Sequence, residues 1–199
     1  MIFRRFKRRP FLSYNKRLYH GTTSNFTDAK SDVNRLPCDH GLGFYLTPFF
    51  DRATSRAEEK VFNEDSVVQV YLYIFDDERA QQDANDGKLW FETIVPCKQW
   101  LDSTEFFWDR SIEGALYKLR TDAILIMPSS DATVERILTR YRNSARTDAD
   151  VKQALEDLNL DRYGTQYYFG TDKNITKYLT FVGKYIRGKD GKFRFYPRL

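Results

Sequence analysis

Apolar and polar positions along this chain form short strand-like segments separated by helix-like ones. The clearest strand covers residues 66–75, where β-branched and aromatic residues follow one another. Shorter apolar segments predict strands at 17–20, 43–47, 89–93, 122–128 and 166–169. Because regular βαβ units do not connect these strands, the pattern indicates an α+β fold with largely antiparallel strands.

The segments between the strands carry helix and turn signals. They predict helices from Pro48 to about residue 61, over 98–108, from an N-cap at Asp131 to 141, over 148–158, and over 171–181. Residues 76–88 are acidic and are predicted as a loop, and the polar segment 22–38 is predicted as a loop over the site. Residues 184–196, centred on Lys189-Asp190-Gly191, predict a β-hairpin.

Length and composition indicate one domain with short additions. The expected division is a flexible basic segment at 1–16, a domain at 17–183, and a basic hairpin or tail at 184–199. No apolar run is long enough to span a bilayer, and the N-terminus lacks the apolar stretch of a secretory signal. Cys38 and Cys97 are far apart in the sequence, so we expect no metal site and a reduced, cytoplasmic setting.

The net charge is +4, but basic and acidic residues are concentrated in different parts of the chain. Residues 1–17 hold seven Lys or Arg and no acid, and residues 184–199 hold six with one acid, so the body between them is acidic. Two interpretations stay open: solubilising ends, or docking to a polyanion such as RNA, DNA or an anionic membrane. The candidate nucleic-acid-binding residues are Arg4, Arg5, Lys7, Arg8, Arg9, Lys192 and Arg194.

Two short segments each place one special side chain beside a glycine. The sequence Leu-Tyr-His-Gly-Thr at 18–22 contains His20, and Gly-Leu-Gly-Phe-Tyr-Leu-Thr at 41–47 contains Tyr45. A His and a Tyr next to bare backbone suit the binding of a flat amide ring such as nicotinamide. Alone, His20 is more typical of a structural hydrogen-bonding residue and Tyr45 of a core aromatic, but Gln166, at the start of a late apolar strand, completes an ordered set.

With this set the chain resembles ADP-ribosyltransferases of the diphtheria-toxin and poly(ADP-ribose)-polymerase type. That class uses a His-Gly motif, a Gly-x-Tyr motif and a late acidic residue. More closely, the chain resembles the bacterial and phage DUF3990-type domain of uncharacterised function within that superfamily. The resemblance spans about residues 17–182 and rests on 18–22, 41–47, 100–102, 122–128, and Gln166 with Phe169 and Thr171.

The resemblance implies a split β-sandwich of largely antiparallel strands with peripheral helices. It implies NAD as co-substrate, without a metal. The Gly21 backbone would bind the nicotinamide carboxamide, His20 a ribose hydroxyl, and Tyr45 would stack on the nicotinamide ring. The implied NAD-binding residues are His20, Gly21, Thr22, Gly43, Phe44 and Tyr45, and the implied catalytic residues are His20, Tyr45 and Gln166.

Gln166 stands where active members of the superfamily carry a glutamate. A carboxylate stabilises positive charge on the reacting ribose and accepts a proton, whereas a neutral amide only hydrogen-bonds. The expected function is an NAD-dependent mono-ADP-ribosyltransferase acting on a host protein or nucleic acid, with a base supplied by Asp161, Asp172 or Glu92 if one is needed. The alternative is a catalytically impaired module that binds NAD or ADP-ribose and holds nucleic acid through its basic ends.

Superfamily analogy extends to the biological role. Small transferases of this kind are often toxins, phage-defence proteins or phage proteins that modify the host, and a toxin is expected to have an antitoxin partner. A related RNA phosphotransferase would need further His and Arg residues at set positions, and these are not identified in the sequence.

Overall fold

The computed structural model describes residues 16–26, 28–31, 43–93, 95–103, 123–128, 132–158 and 165–198. These residues form two four-stranded sheets with helices around them. The α+β fold predicted from the sequence is thereby confirmed, with strand pairing that is antiparallel except for one pair.

Eight strands lie within the described residues. They are β1 (Lys16–Thr22), β2 (Phe44–Leu46), β3 (Gln69–Phe75), β4 (Trp90–Thr93), β5 (Ala123–Pro128), β6 (Thr165–Phe169), β7 (Leu179–Arg187) and β8 (Phe193–Pro197). The first sheet has the order β1-β3-β7-β8 and is antiparallel throughout. The second has the order β2-β6-β5-β4, with β4 and β5 parallel.

Helices in the described part of the chain surround these sheets. They are α1 (Phe50–Glu58), α2 (Asp77–Asn85), α3 (Lys98–Ser103), α4 (Ala132–Arg142), α5 (Asp148–Asp157) and α6 (Asp172–Tyr178). None of them combines the length and apolar character that crossing a membrane requires.

The main core lies between the two sheets. Leu18, Tyr73 and Phe75 enter it from the first sheet, and Phe44 and Phe169 enter it from the second, all nearly inaccessible to solvent. Alternate residues of each strand point to the opposite face, as the period of two requires. Burial of these large side chains is the main force that holds the sheets together.

Two secondary-structure predictions were wrong. Residues 76–88, predicted as a loop, contain α2, because the Asp76 carboxylate accepts the Arg79 N–H at 3.0 Å as an N-cap and Ala80 packs in the core. The helix predicted over 171–181 ends at Tyr178, because Leu179 begins strand β7 opposite Phe75. The acidic composition of residues 76–88 is why α2 was not predicted. At Leu179, pairing with β3 outweighed the helical pattern of the sequence.

The predicted C-terminal hairpin is confirmed as β7 and β8, with Gly191 in its turn. Strand β7 runs through position 184, so the expected boundary between 183 and 184 falls inside this strand. The hairpin supplies two of the four strands of the first sheet.

Candidate functional site

Strands β1 and β2 join the two sheets through an isolated bridge between Tyr19 and Thr47. The Tyr19 N–H donates to the Thr47 carbonyl at 2.7 Å, and the Thr47 N–H donates back at 2.9 Å. In a continuous antiparallel ladder, the next pair of this kind would be Gly21 with Tyr45, two residues further along each strand. We call the place between these two residues the strand gap.

Side chains occupy the two carbonyl groups of the strand gap. The His20 ring bonds the Tyr45 carbonyl through Nδ1 at 2.8 Å, and the Lys60 ammonium donates to the Gly21 carbonyl at 3.1 Å. Lys60 was not predicted from the sequence, because it follows an acidic stretch at the end of α1 that is typical of a solvated helix terminus. The strand gap is therefore bordered by two peptide edges, an imidazole and a cation.

Three contacts fix the orientation of the half-buried His20 ring. Because a carbonyl only accepts hydrogen bonds, Nδ1 must carry the proton, and Nε2 of the neutral ring is then an acceptor. The ring stacks on Phe44 with centroids 4.7 Å apart and meets the edge of Phe26 at 5.8 Å. An imidazole held in this way is suited to accept a hydrogen bond from a ligand hydroxyl.

Gly21 is required by the packing of α1. A Cβ atom at this position would lie 1.6 Å from the carbonyl oxygen of Ala53, and both residues are buried. The helix therefore lies directly against the backbone of β1. The resemblance implies that Gly21 binds a ligand, and the packing of α1 is a separate structural reason for a glycine at this position. The Gly21 carbonyl still borders the strand gap.

Three other residues of the expected NAD-binding set shape the site by packing. Phe44 is 5% exposed and belongs to the core between the sheets. The Thr22 side chain is buried and accepts the Ser24 N–H at 3.0 Å. Gly43 packs against the Tyr168 ring, and a Cβ added at this position would lie 2.2 Å from Cε2 of that ring. These residues support the strand gap from the protein interior.

Tyr45 and Gln166 share the outer face of the second sheet. Tyr45 is the register partner of Tyr168, and their rings lie 5.3 Å apart. Gln166 precedes Tyr168 by two positions on β6 and therefore points to the same side, where it is half-buried. Burial raises the pKa of Tyr168 to about 12, so its phenol stays protonated at neutral pH. The structure thus brings Tyr45 and Gln166 to one face, while the His20 ring meets Tyr45 only through a backbone carbonyl.

The two expected replacement bases that the structure describes, Asp172 and Glu92, are poorly suited to that role. The Asp172 carboxylate accepts the Ser31 N–H and hydroxyl at 2.6 and 2.7 Å, and these bonds lower its pKa and weaken it as a base. Glu92 is separated from Tyr45 in the register by Leu125 and Tyr168, which amounts to about 14 Å across three strand spacings. Asp161 lies outside the described residues.

A loop that follows β1 covers the His20 ring, as predicted for its described residues 23–26 and 28–31. The Phe26 ring stacks on Tyr71 at 4.1 Å, and the Tyr71 hydroxyl accepts the Phe26 N–H at 3.0 Å. Asn25 Oδ1 accepts from this hydroxyl at 3.1 Å and from the Lys184 ammonium at 2.6 Å. No local pattern predicts this network, because its members come from three distant segments of the chain.

The two expected nucleic-acid-binding residues that the structure describes, Lys192 and Arg194, do not border the strand gap. Arg194 belongs to β8 and Lys192 to the turn before it, at the other edge of the first sheet. Arg4, Arg5, Lys7, Arg8 and Arg9 lie outside the described residues.

Comparison with protein families gives a match over most of the chain. A model described as "Protein of unknown function (DUF3990)" matches residues 16–181, which is most of the chain. This confirms the resemblance to that family noted from the sequence. Comparisons with curated proteins and with solved structures gave no match.

Proposed function

The chain belongs to the DUF3990 family, and we propose that it is a mono-ADP-ribosyltransferase with NAD as its co-substrate. The observation that carries this proposal is the strand gap, where the ladder that Tyr19 and Thr47 begin does not continue to Gly21 and Tyr45 and the His20 ring bonds the Tyr45 carbonyl instead. The superfamily resemblance of the motifs at 18–22, 41–47 and 166–171 supports it independently of the geometry.

The strand gap offers the hydrogen-bonding groups that a carboxamide needs. A primary amide carries N–H donors and a carbonyl acceptor, the same groups through which a peptide joins a ladder. The nicotinamide carboxamide would take the place of the absent ladder pair, and the Gly21 carbonyl has a second lone pair beside the one that Lys60 uses. In this arrangement Tyr45 would stack on the ring, and His20 Nε2 would accept a ribose hydroxyl.

The reaction transfers the ADP-ribosyl group from NAD to one acceptor. The bond from ribose C1′ to the nicotinamide nitrogen breaks, and its electron pair leaves with nicotinamide. A nucleophilic atom of the acceptor forms the new bond to C1′ and gives up its proton to water or to a base. The leaving group is already a cationic pyridinium, so this departure requires no metal.

Gln166 limits the rate of this reaction. Its carbonyl oxygen can accept a hydrogen bond from the reacting ribose, but it carries no negative charge for the cationic transition state and takes no proton. Loss of one preorganised group of this kind typically costs about 10²–10³ in rate. We therefore expect slow transfer to an acceptor that needs little activation, rather than chain elongation.

The same observation favours a second candidate, a module that binds NAD or ADP-ribose without turnover. Gln166 is neutral, the Asp172 carboxylate is engaged by Ser31, and Glu92 lies across the sheet. The two candidates share a binding site and differ only in whether nicotinamide is released.

The biological role rests on superfamily analogy alone. A toxin, a defence protein or a phage effector that modifies a host protein or nucleic acid in the cytoplasm fits a small transferase of this kind. Under the toxin assignment we expect an antitoxin partner.

Release of free nicotinamide from NAD tests the proposal. We expect weak release from the unchanged protein in the presence of cell lysate and release about 10²–10³ faster from Gln166→Glu. Gln153→Glu, the same change at an exposed position on α5, is the matched control and should not alter the rate. Loss of the response to lysate after nuclease treatment would identify a nucleic-acid acceptor.

The outcomes separate the two candidates. Release from Gln166→Glu alone, with NAD binding by the unchanged protein in calorimetry, would support the binding module. Loss of NAD binding in His20→Ala and Tyr45→Ala would support either candidate. NAD binding that is absent in the unchanged protein, or unaffected by both changes, would refute the site.

A further inference from the structure

The C-terminal hairpin presents a cationic and aromatic surface at the free edge of the first sheet. Lys184 on β7 is the register partner of Tyr196 on β8, and Arg194 lies two positions before Tyr196 on the same side. We call Lys184, Arg194 and Tyr196 the hairpin face. Tyr196 is 47% exposed, a large fraction for an aromatic side chain in a strand.

Most cations of the hairpin lack carboxylate partners among the described residues. Arg187 pairs with Glu58, and Arg194 pairs with Asp190, both at the surface. The remaining cations make no ion pair within the described part of the chain; they are Lys184, Lys189, Lys192 and Arg198. Positive charge is therefore concentrated here, on a protein whose body is acidic.

The central cation of the hairpin face is held in place by neutral groups. The Lys184 ammonium donates to Asn25 Oδ1 at 2.6 Å and to Gln69 Oε1 at 2.9 Å. It also lies 5.4 Å from the centre of the Tyr71 ring. These contacts orient the ammonium without neutralising it, so it remains available to a phosphate.

The hairpin face lies on the same side of the first sheet as His20. In the register His20 is opposite Tyr71, Tyr71 is opposite Lys184, and Lys184 is opposite Tyr196. These four residues form one row, and three strand spacings place Tyr196 about 14 Å from His20. An oligonucleotide of a few bases spans that distance.

We propose that the hairpin face binds single-stranded nucleic acid, with phosphates on Lys184 and Arg194 and a base stacked on Tyr196. An exposed aromatic ring beside cations suits a single strand, because its bases present free faces for stacking and its phosphates pair with positive charge. In a duplex the neighbouring bases already cover each base face, so the Tyr196 ring would have no free face to stack on. The binding is independent of NAD, so it stands or falls separately from the transferase proposal.

The test measures the affinity of the full chain for a fluorescent single-stranded oligonucleotide of mixed sequence, without NAD. We expect Tyr196→Ala to weaken binding about tenfold and Tyr196→Phe to bind like the unchanged protein, because stacking needs only the ring. Arg194→Ala should weaken binding and reduce the slope of log affinity against log salt by about 0.7. Phe62→Ala removes an exposed aromatic residue outside the hairpin and should have no effect.

The basic segment at 1–16 offers a competing explanation, which the same assay separates. If Arg8→Ala with Arg9→Ala abolishes binding while Tyr196→Ala and Arg194→Ala leave it unchanged, the hairpin proposal is overturned. Equal affinity for duplex and single strand, or Tyr196→Ala binding as tightly as Tyr196→Phe, would also overturn it. Preference for the single strand that falls with Tyr196→Ala supports it.

Discussion

The first sheet has two edges, and the protein uses them in different ways. At the β1 edge, an isolated bridge leads to the second sheet, and the side chains of His20 and Lys60 bond the two carbonyls beyond the point where the ladder stops. At the β8 edge, strand residues Phe195 and Tyr196 are exposed, and cations flank them. One edge is enclosed by packing, and the other faces solvent.

This difference shows two ways in which an unpaired strand edge is protected. A bare edge invites pairing with another chain, and charged residues and proline are common protections. Strand β8 carries both, in Arg194 and Pro197. The β1 edge is protected by the side chains of His20 and Lys60, which bond the two carbonyls, and under the proposed function a small amide would compete for a place there.

The largest expected effect comes from adding one methyl group at the enclosed edge. In Gly21→Ala the new Cβ would meet the Ala53 carbonyl, so α1 or β1 must shift. We expect a loss of at least about 3 kcal/mol in the free energy of unfolding, at or above the usual range for overpacked cores. Urea unfolding of the purified variant measures it.

Gly191→Ala is the matched change at the exposed edge. Gly191 has φ 76° in the hairpin turn, and no atom lies within 4 Å of the Cβ position. The cost is then only the backbone strain of about 1–2 kcal/mol, and Gly191→Asn should lose less. If Gly21→Ala costs no more than Gly191→Ala, α1 does not pack on β1 as described.

A smaller effect is expected where the two edges are linked. Tyr71→Phe removes the hydroxyl that accepts the Phe26 N–H and donates to Asn25. We expect a loss of about 1–2 kcal/mol and faster hydrogen exchange at the Phe26 amide. Oligonucleotide affinity should be unchanged, because Lys184 keeps its bond to Gln69.

Tyr185→Phe is the control for the loss of a tyrosine hydroxyl. The Tyr185 ring packs against Phe50 and Phe195, and its hydroxyl makes no hydrogen bond with any residue in the described ranges. Protection of the Phe26 amide should not change. Equal effects of the two substitutions would show that the hydroxyl of Tyr71 does not hold the loop.

The sequence predicted most strands because each carries its own local signal. Residues 66–75 are β-branched and aromatic, and Asp190-Gly191 marks a turn between two short runs, so these elements required no tertiary information. The loop predicted over residues 76–88 was wrong because the acidic composition concealed the helix N-cap at Asp76. The predicted end of α6 was wrong because only pairing with Phe75 makes Leu179 a strand residue.

For the candidate site, the sequence motifs predicted which residues belong to it but not where their side chains point. The motifs predict His20, Gly21 and Tyr45 as one set, and of these the structure joins the His20 ring to the Tyr45 backbone carbonyl. Nothing in the sequence shows that Phe44 turns inward, that Ala53 requires the glycine, or that Lys60 reaches the Gly21 carbonyl. Each of these depends on how α1 and the two sheets pack.

The smallest expected effect is a difference between two carboxyl groups whose pKa values are lowered for different reasons, Asp190 in the hairpin and Asp172 beside the loop after β1. In the hairpin, the bond from Arg194 lowers the pKa of Asp190, and the Lys192 N–H adds to this. In the loop after β1, neutral Ser31 donors lower the pKa of Asp172. A lowered folded-state pKa favours the folded protein above the ordinary value of about 3.9, and this contribution is lost as the pH falls through the folded-state pKa.

Salt should separate the two carboxylates, because an exposed ion pair is screened and a neutral hydrogen bond is not. In an NMR titration at about 1 M salt, where the Debye length falls to about 3 Å, we expect the Asp190 pKa to rise toward its ordinary value and the Asp172 pKa to stay low. Arg194→Ala should raise the Asp190 pKa in the same direction at low salt. A parallel rise at both positions would mean that charge, rather than the Ser31 hydrogen bonds, sets the Asp172 pKa, and the chemical contrast between the two edges would not extend to this loop.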